Sequence, residues 1–291
     1  MALPPDIEAA VVALLGGVIH RAAAVGGGCI AQATRLDTEA GPFFLKYGGP
    51  AVARTFPAEA AGLRVLHEAG SPLTIPRVLA AQGADPGKPG FLLMTWIEPG
   101  VHRDGFWETF GQGLASLHGH TAAQYGFDAN NFIGRLPQRN TWEVAWPSFF
   151  RDHRLEPQVA RARTAGRWQA AWNRPLDALY RHLDVLLPPA PPASLLHGDL
   201  WSGNFMVTQA GQAALIDPAV YYGDREADLA MTELFGGFAA RFYESYRAAW
   251  PLEAGYEARR EVYNLYHRLN HLNLFGSNYA GSVASVLRRY A

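Results

Sequence analysis

The sequence predicts an α+β protein in two parts: a small N-terminal lobe built on an antiparallel sheet, and a larger, mainly helical C-terminal lobe. Three observations predict it. Short apolar runs punctuated by glycine fill residues 18–47 and return at 91–96. Helical periodicity dominates after residue 100. Glu98-Pro99-Gly100 separates the two regimes, so the lobes should be residues 1–97 and 98–291.

Each element follows from its local pattern. Residues 6–15 suit a short helix, with Asp6 as N-cap and Ile7, Val11, Leu14 and Leu15 at helical spacing. Val25-Gly26-Gly27-Gly28-Cys29-Ile30, Gly41-Pro42 and Phe43-Phe44-Leu45-Lys46-Tyr47 suit antiparallel strands with turns. Residues 57–69 return to helix, with Pro57 at its first position and Gly70 ending it. Phe91-Leu92-Leu93-Met94-Thr95-Trp96 is a buried strand after a polar turn. Beyond it, Phe106, Phe110, Leu114 and Leu117 form an apolar helical stripe ending at His118. A second helical region, 155–187, stops at Pro188-Pro189, which cannot continue a helix. Leu195-Leu196, Phe205-Met206-Val207 and Ala214-Leu215-Ile216 are short strands, and the chain is helical from about Asp228.

Composition narrows the function. The chain has 291 residues, 49% of them hydrophobic, enough for a sizeable core. With 25 Lys and Arg against 26 Asp and Glu, the net charge of −1 argues against a nucleic-acid partner bound by global positive charge. The single cysteine, Cys29, forbids an intramolecular disulfide framework and fits a reducing compartment. Neither a signal peptide nor an 18-residue apolar run is visible, so a cytoplasmic protein without a membrane span is expected.

The chemistry concentrates in His197-Gly198-Asp199-Leu200-Trp201-Ser202-Gly203-Asn204, followed by Leu215-Ile216-Asp217-Pro218. Phosphoryl transfer needs a carboxylate to orient the attacking hydroxyl and take its proton, and oxygen ligands to hold magnesium on the phosphates. Asp199 fits the first role, and Asn204 with Asp217 the second. Singly, each residue suits a turn or a loop cap; the three at this spacing point to catalysis. Upstream, Gly26, Gly27 and Gly28 lie between strand-like runs, where backbone N–H groups can meet phosphates, although such a run also suits a plain hairpin. Lys46 ends an apolar strand and can reach the α- and β-phosphates, or else snorkel to the surface. Glu59 opens the next helix and can fix Lys46 or serve the helix dipole. Met94, Thr95 and Trp96 lie where a strand end could receive adenine. His197 and Asp228 are candidates for supporting the catalytic loop, and Asp228 equally for an N-cap. Trp201 either packs against the acceptor or lies in the core. Cys29 is a redox candidate beside the glycines, or a small buried residue.

These residues resemble the small-molecule branch of the protein-kinase-like fold, with Gly198 and Pro218-Ala219 replacing the Arg and Phe-Gly of protein kinases. More specifically, residues 18–290 resemble the fructosamine kinase, or ketosamine 3-kinase, family. Three stretches carry the resemblance. One is Asn131-Phe132-Ile133-Gly134 with Pro137-Gln138-Arg139-Asn140, Trp142, Trp146, Phe149-Phe150 and Arg154-Leu155. The second is the octet 197–204 with Asp217-Pro218-Ala219 and the run to Asp228. The third is Tyr266 to Gly276. The resemblance implies ATP and Mg2+ as cofactors and phosphorylation of a ketoamine at its 3-hydroxyl, followed by release of the amine. It implies Asp199 as proton acceptor, Asn204 and Asp217 as magnesium ligands, and Lys46 with Glu59 as the phosphate-positioning pair. Tyr47-Gly48 and Thr95 depart from the family pattern in the nucleotide pocket. A kinase of another small alcohol, such as an aminoglycoside or a choline-like amine, and a non-catalytic nucleotide-binding regulator are the competing readings.

Overall fold

The computed structural model describes residues 2–26, 31–83 and 90–291. The chain divides into two compact units, residues 1–106 with 205–218, and residues 107–204 with 219–291. Gly27, Gly28 and Cys29 lie outside the described residues.

In the first unit, helix α1 (Pro5–Leu15) precedes strands β1 (Ile19–Ala24), β2 (Gln32–Thr38) and β3 (Gly41–Tyr47). The short helix α2 (Pro50–Ala53) and helix α3 (Phe56–Glu68) follow, then β4 (Val78–Gln82) and β5 (Phe91–Thr95). The strands form one antiparallel sheet in the order β1-β2-β3-β5-β4. Its core joins Leu3, Ile7 and Val11 of the N-terminal segment to Leu36, Phe43, Leu45, Tyr47, Phe91 and Leu93. Strand side chains alternate between faces, so burying Phe43, Leu45 and Tyr47 sends Lys46 to the opposite face. A one-residue slip of β3 would bury the lysine in this core instead.

Two local expectations shift. Asp6 is not the N-cap of α1; Pro4 holds that place and Pro5 starts the helix, leaving Asp6 in the first turn, where its charge suits the helix dipole. Pro57 is the second residue of α3, not the first. Gly70 does end that helix, in the left-handed conformation at φ +65°.

The expected single cut near residues 97–100 gives way to a discontinuous first unit. The hairpin of β10 (Phe205–Val207) and β11 (Ala213–Leu215) belongs to it, because its edges bond back to the earlier chain. Gly100 N donates to Val207 O at 2.8 Å, Gln209 N to Glu98 O at 2.8 Å, and Thr74 N to Ala213 O at 2.9 Å. A Cβ at Gly100 would lie 2.2 Å from Thr208 O, so only glycine permits that approach.

The second unit is mainly helical. It holds most of α4 (Phe106–His118), then α5 (Trp146–Phe149), α6 (Glu156–Thr164) and α7 (Asn173–Leu186), with a π-helical turn at Phe150–Leu155. Helices α8 (Glu226–Leu234), α9 (Ala240–Ala249), α10 (Tyr256–Phe275) and α11 (Ala280–Leu287) complete it. Its strands are short: β6 (Thr121–Ala122), β9 (Ala193–Leu196) and β12 (Tyr221–Gly223) form one sheet, and β7 (Asn131–Ile133) pairs with β8 (Leu136–Gln138). Of these only β9 is expected from the sequence; the others have two or three residues each, too short for an alternation to show. No helix among the described residues is long and apolar enough to cross a membrane.

Candidate active site

Strand β3 and helix α3 place an ion triad in the first unit. Lys46 Nζ donates to Glu59 Oε1 at 2.7 Å and also bonds Asp217 Oδ1. The lysine and Glu59 are almost buried, whereas the Asp217 side chain is 46% exposed. Burial alone would lower the pKa of the Lys46 ammonium, but attraction from Glu59 and Asp217 outweighs it and raises the pKa. The lysine is therefore a fixed cation, held through both carboxylates rather than snorkelling to solvent. Asp217 adopts φ +56°, the only positive φ at a non-glycine residue among those described. An aspartate accepts this left-handed geometry at modest cost, and such geometry clusters where function demands an orientation.

The other nucleotide candidates of this unit are arranged variously. Gly26 is exposed and would tolerate a Cβ, while its partners Gly27 and Gly28 are outside the described residues. Met94 is buried in β5. Thr95 exchanges bonds with Arg77: its N–H donates to Arg77 O and its hydroxyl accepts from Arg77 N, each at 2.9 Å. Trp96 donates from Nε1 to Glu98 Oε2 at 2.8 Å and carries Arg35 over its ring at 4.9 Å.

In the second unit the loop after β9 carries Asp199 and Asn204. Asn204 Nδ2 donates to Asp199 O at 2.8 Å and to Asp199 Oδ2 at 3.1 Å. With the amide nitrogen committed to Asp199, Oδ1 is left as the acceptor end of Asn204, a hard oxygen. Gly198 turns the loop at φ +81°, where a Cβ would sit 2.1 Å from Ala219 O. His197 is buried, and its Nδ1 accepts from Asp199 N at 3.3 Å.

Asp228 buttresses this loop and is no N-cap, since it lies inside α8. Its carboxylate accepts from His197 N at 2.7 Å and Gly198 N at 2.9 Å. Helix α4 adds His118, whose Nε2 is 3.3 Å from Asp228 Oδ2 and whose Nδ1 is 2.8 Å from Tyr246 Oη. Burial lowers the His118 pKa, so the neutral ring donates from Nε2 to Asp228 and accepts from the tyrosine hydroxyl. Burial opposes the Asp228 charge, yet these donors hold its pKa below the usual carboxylate range. Asp224 takes the capping role instead, accepting from Glu226 N at 3.0 Å.

A second polar network fixes the segment after Asp217-Pro218. Asn131 Nδ2 donates to Val220 O at 2.7 Å, and Gln138 Nε2 to Ala219 O at 3.0 Å. Tyr266 Oη donates to Gln138 Oε1 at 2.6 Å, and Asn140 Nδ2 to Asn131 Oδ1 at 2.9 Å. Arg154, fully buried, donates to Asn140 Oδ1 at 2.8 Å and lies 3.8 Å over the ring of Tyr221. Sequence reasoning marked these positions without assigning them a role, as it also missed His118. Their buried amides need partners, and three of those partners, Ala219, Val220 and Tyr266, are far away in the chain. Trp201 is no core residue: it is 36% exposed and meets Phe235 edge-on at 5.8 Å.

Asn204 Oδ1 in the second unit and the exposed Asp217 carboxylate in the first are each of the oxygen type that magnesium takes. The described residues contain no group of three or more His, Cys, Asp or Glu able to hold a metal.

Comparison with known proteins follows this geometry. The family profile of the fructosamine kinases matches residues 7–291. A probable ketoamine kinase of Synechocystis sp. is 40% identical over 274 residues, covering 93% of this chain and 90% of the relative. The chloroplastic protein-ribulosamine 3-kinase of Arabidopsis thaliana is 38% identical over 277 residues, covering 94% of this chain and 83% of the relative. Among solved structures, a candidate fructosamine-3-kinase of Thermobifida fusca superposes with a TM-score of 0.86 at 33% identity over 97% of both chains. A thermostable mutant of the aminoglycoside phosphotransferase APH(4)-Ia reaches 0.64 at 17% identity over 98% of this chain and 99% of its own, a likeness of fold alone. The α+β fold is thus the protein-kinase-like one.

Proposed function

Because the chain belongs to the fructosamine kinase family, we propose that it transfers the γ-phosphoryl group of ATP to the 3-hydroxyl of a ketoamine, the rearranged adduct of a sugar and an amine. The observation that supports the transfer chemistry is the Lys46 ammonium held between Glu59 and Asp217. A fixed cation of this kind positions the α- and β-phosphates. The ketoamine acceptor rests on the family.

Asp199 accepts the proton of the attacking hydroxyl. The hydroxyl oxygen bonds to the γ-phosphorus as the bond to the bridging oxygen breaks, and ADP leaves with that electron pair. Asn204 orients Asp199 through its two N–H bonds and, with Asp217, supplies the oxygen ligands for magnesium. When bound, magnesium neutralises charge on the phosphates. Asp228 holds the backbone of His197 and Gly198, which fixes the direction of Asp199. The phosphate placed beside the ketone leaves more readily than hydroxide, so the product is expected to decompose and free the amine, a deglycating repair. Gly26, Gly27, Gly28, Met94, Thr95 and Trp96 are proposed to receive the nucleotide.

The test is an assay with magnesium ATP and a panel of fructosamines, ribulosamines, aminoglycosides and choline. Phosphate transfer to ketoamines is expected. Transfer to an aminoglycoside or choline and to no ketoamine would overturn the acceptor assignment, and no transfer to any of them would leave a nucleotide-binding protein.

A further inference from the structure

Five aromatic side chains of the second unit form one run. Trp201 meets Phe235 at 5.8 Å between ring centroids, and Phe235 meets His271 at 4.9 Å. His271 lies 5.4 Å from Phe275 and 5.1 Å from Tyr279, which are 5.9 Å from each other. Trp201, Phe235 and Phe275 are exposed by 36%, 39% and 56%. Contiguous apolar surface in water marks a binding face more often than a structural one.

The near end of the run is next to the proposed base, since Trp201 follows Asp199 by two residues. The loop is shaped to present that indole: a Cβ at Gly203 would lie 2.4 Å from the Trp201 ring. The far end follows α10. Phe275 is the last residue of α10, and Tyr279 follows it. At 1.5 Å per residue, Phe275 lies about 6 Å farther along the helix axis than His271. The run therefore leads from the loop of the proposed base, through Phe235 and His271, to the C-terminal end of α10.

Its chemistry is uniform. Burial lowers the pKa of His271, and its Nδ1 lies 2.7 Å from His267 O, so a neutral ring donates to that carbonyl. Trp201, Phe235 and Phe275 have no ionisable group. Ring faces attract a cation and cover an apolar chain, the two features of an amine carrying a carbon tail.

We propose that this aromatic platform binds the amine-bearing half of the ketoamine, with the secondary ammonium against Trp201 and Phe235 and the carbon tail along Phe275 and Tyr279. The proposal rests on the ketoamine kinase reading. It follows the substrate's connectivity: the nitrogen is only a few bonds from the 3-hydroxyl, so a tail must extend away from Asp199 once that hydroxyl is placed. The platform makes the enzyme selective for ketoamines of bulky apolar amines.

The experiment compares fructosamine adducts of benzylamine and methylamine, measuring kcat/KM for each with the wild-type protein and with Phe275→Ala/Tyr279→Ala. The wild type should favour the benzylamine adduct, and the double variant should lower the benzyl-to-methyl ratio about tenfold, the scale of one or two lost aromatic contacts. Thermal denaturation checks folding; if the double variant unfolds, Phe275→Ala at the most exposed ring gives the same ratio test. Equal kcat/KM for the two adducts in the wild type, or a ratio unmoved by the variants, overturns the platform while leaving the kinase intact. A change of mass in light scattering with no change in ratio also overturns it, by assigning the face to a second copy of the chain. A wild type that phosphorylates neither adduct removes the acceptor reading and the platform together.

Discussion

The ion triad of the first unit and the catalytic loop of the second hold their carboxylates by opposite means. Lys46, Glu59 and Asp217 are held by charge against charge, with Asp217 half in water. Asp228 is buried and is held by backbone N–H groups and a neutral histidine. A charge pair open to solvent can exchange partners cheaply, as a residue that is to meet phosphates and magnesium must. A buried carboxylate with every donor assigned cannot exchange, and it keeps the loop in one conformation. In the proposed reaction, function is carried by Asp217, whose bond to Lys46 is open to solvent, and by Asp199, and geometry by the buried set.

Four measurements break or sharpen that contrast, from the largest effect down. Asp199→Asn should lower kcat by about 10² to 10⁴, the usual contribution of a general base, while nucleotide titration gives nearly wild-type affinity. An equal loss of affinity would show that Asp199 is structural. Asp217→Ala should weaken magnesium-dependent nucleotide binding with little change in melting temperature, because Lys46 keeps Glu59. An unchanged magnesium titration contradicts its assignment. Asp228→Ala should do the reverse, costing about 3 kcal/mol in denaturant unfolding by stranding two buried N–H groups and His118. A fully stable Asp228→Ala protein would remove the contrast.

The last effect, small near neutral pH, is a pH dependence. Burial pulls the pKa of His267 from 6.5 down to about 3. The unfolded chain therefore binds a proton that the folded one rejects. Stability is fully present above 6.5 and falls with pH between 6.5 and about 3, by at most about 1.4 kcal/mol per pH unit. His267→Gln should flatten that slope in melting curves taken from pH 4 to 7; an unchanged slope would assign the acid sensitivity elsewhere.

The parts legible in the sequence share a physical feature: their partners are near in the chain or obey a strand or helix period. Alternation in β3 puts Lys46 on the face opposite Phe43 and Leu45, and the first turn of α3 brings Glu59 within 2.7 Å of it. Asp199 and Asn204 sit on one loop, so their spacing implies their contact. The octet also exposed Trp201 as a candidate, though not its neighbour Phe235.

Composition, local period and the octet motif determined the α+β class, helices α1 and α3 and strands β3 and β5 of the first unit, and the types of residue that carry the chemistry. Only the tertiary structure decided that 205–218 joins the first unit, that Asp228 holds the loop, and that His118 and Tyr246 stand behind it. The same holds for Gln138 and Asn131, which reach carbonyls 81 and 89 residues away. A buried polar side chain must find a partner, but nothing in its own neighbourhood of sequence says which. That choice is made when packing removes water from both.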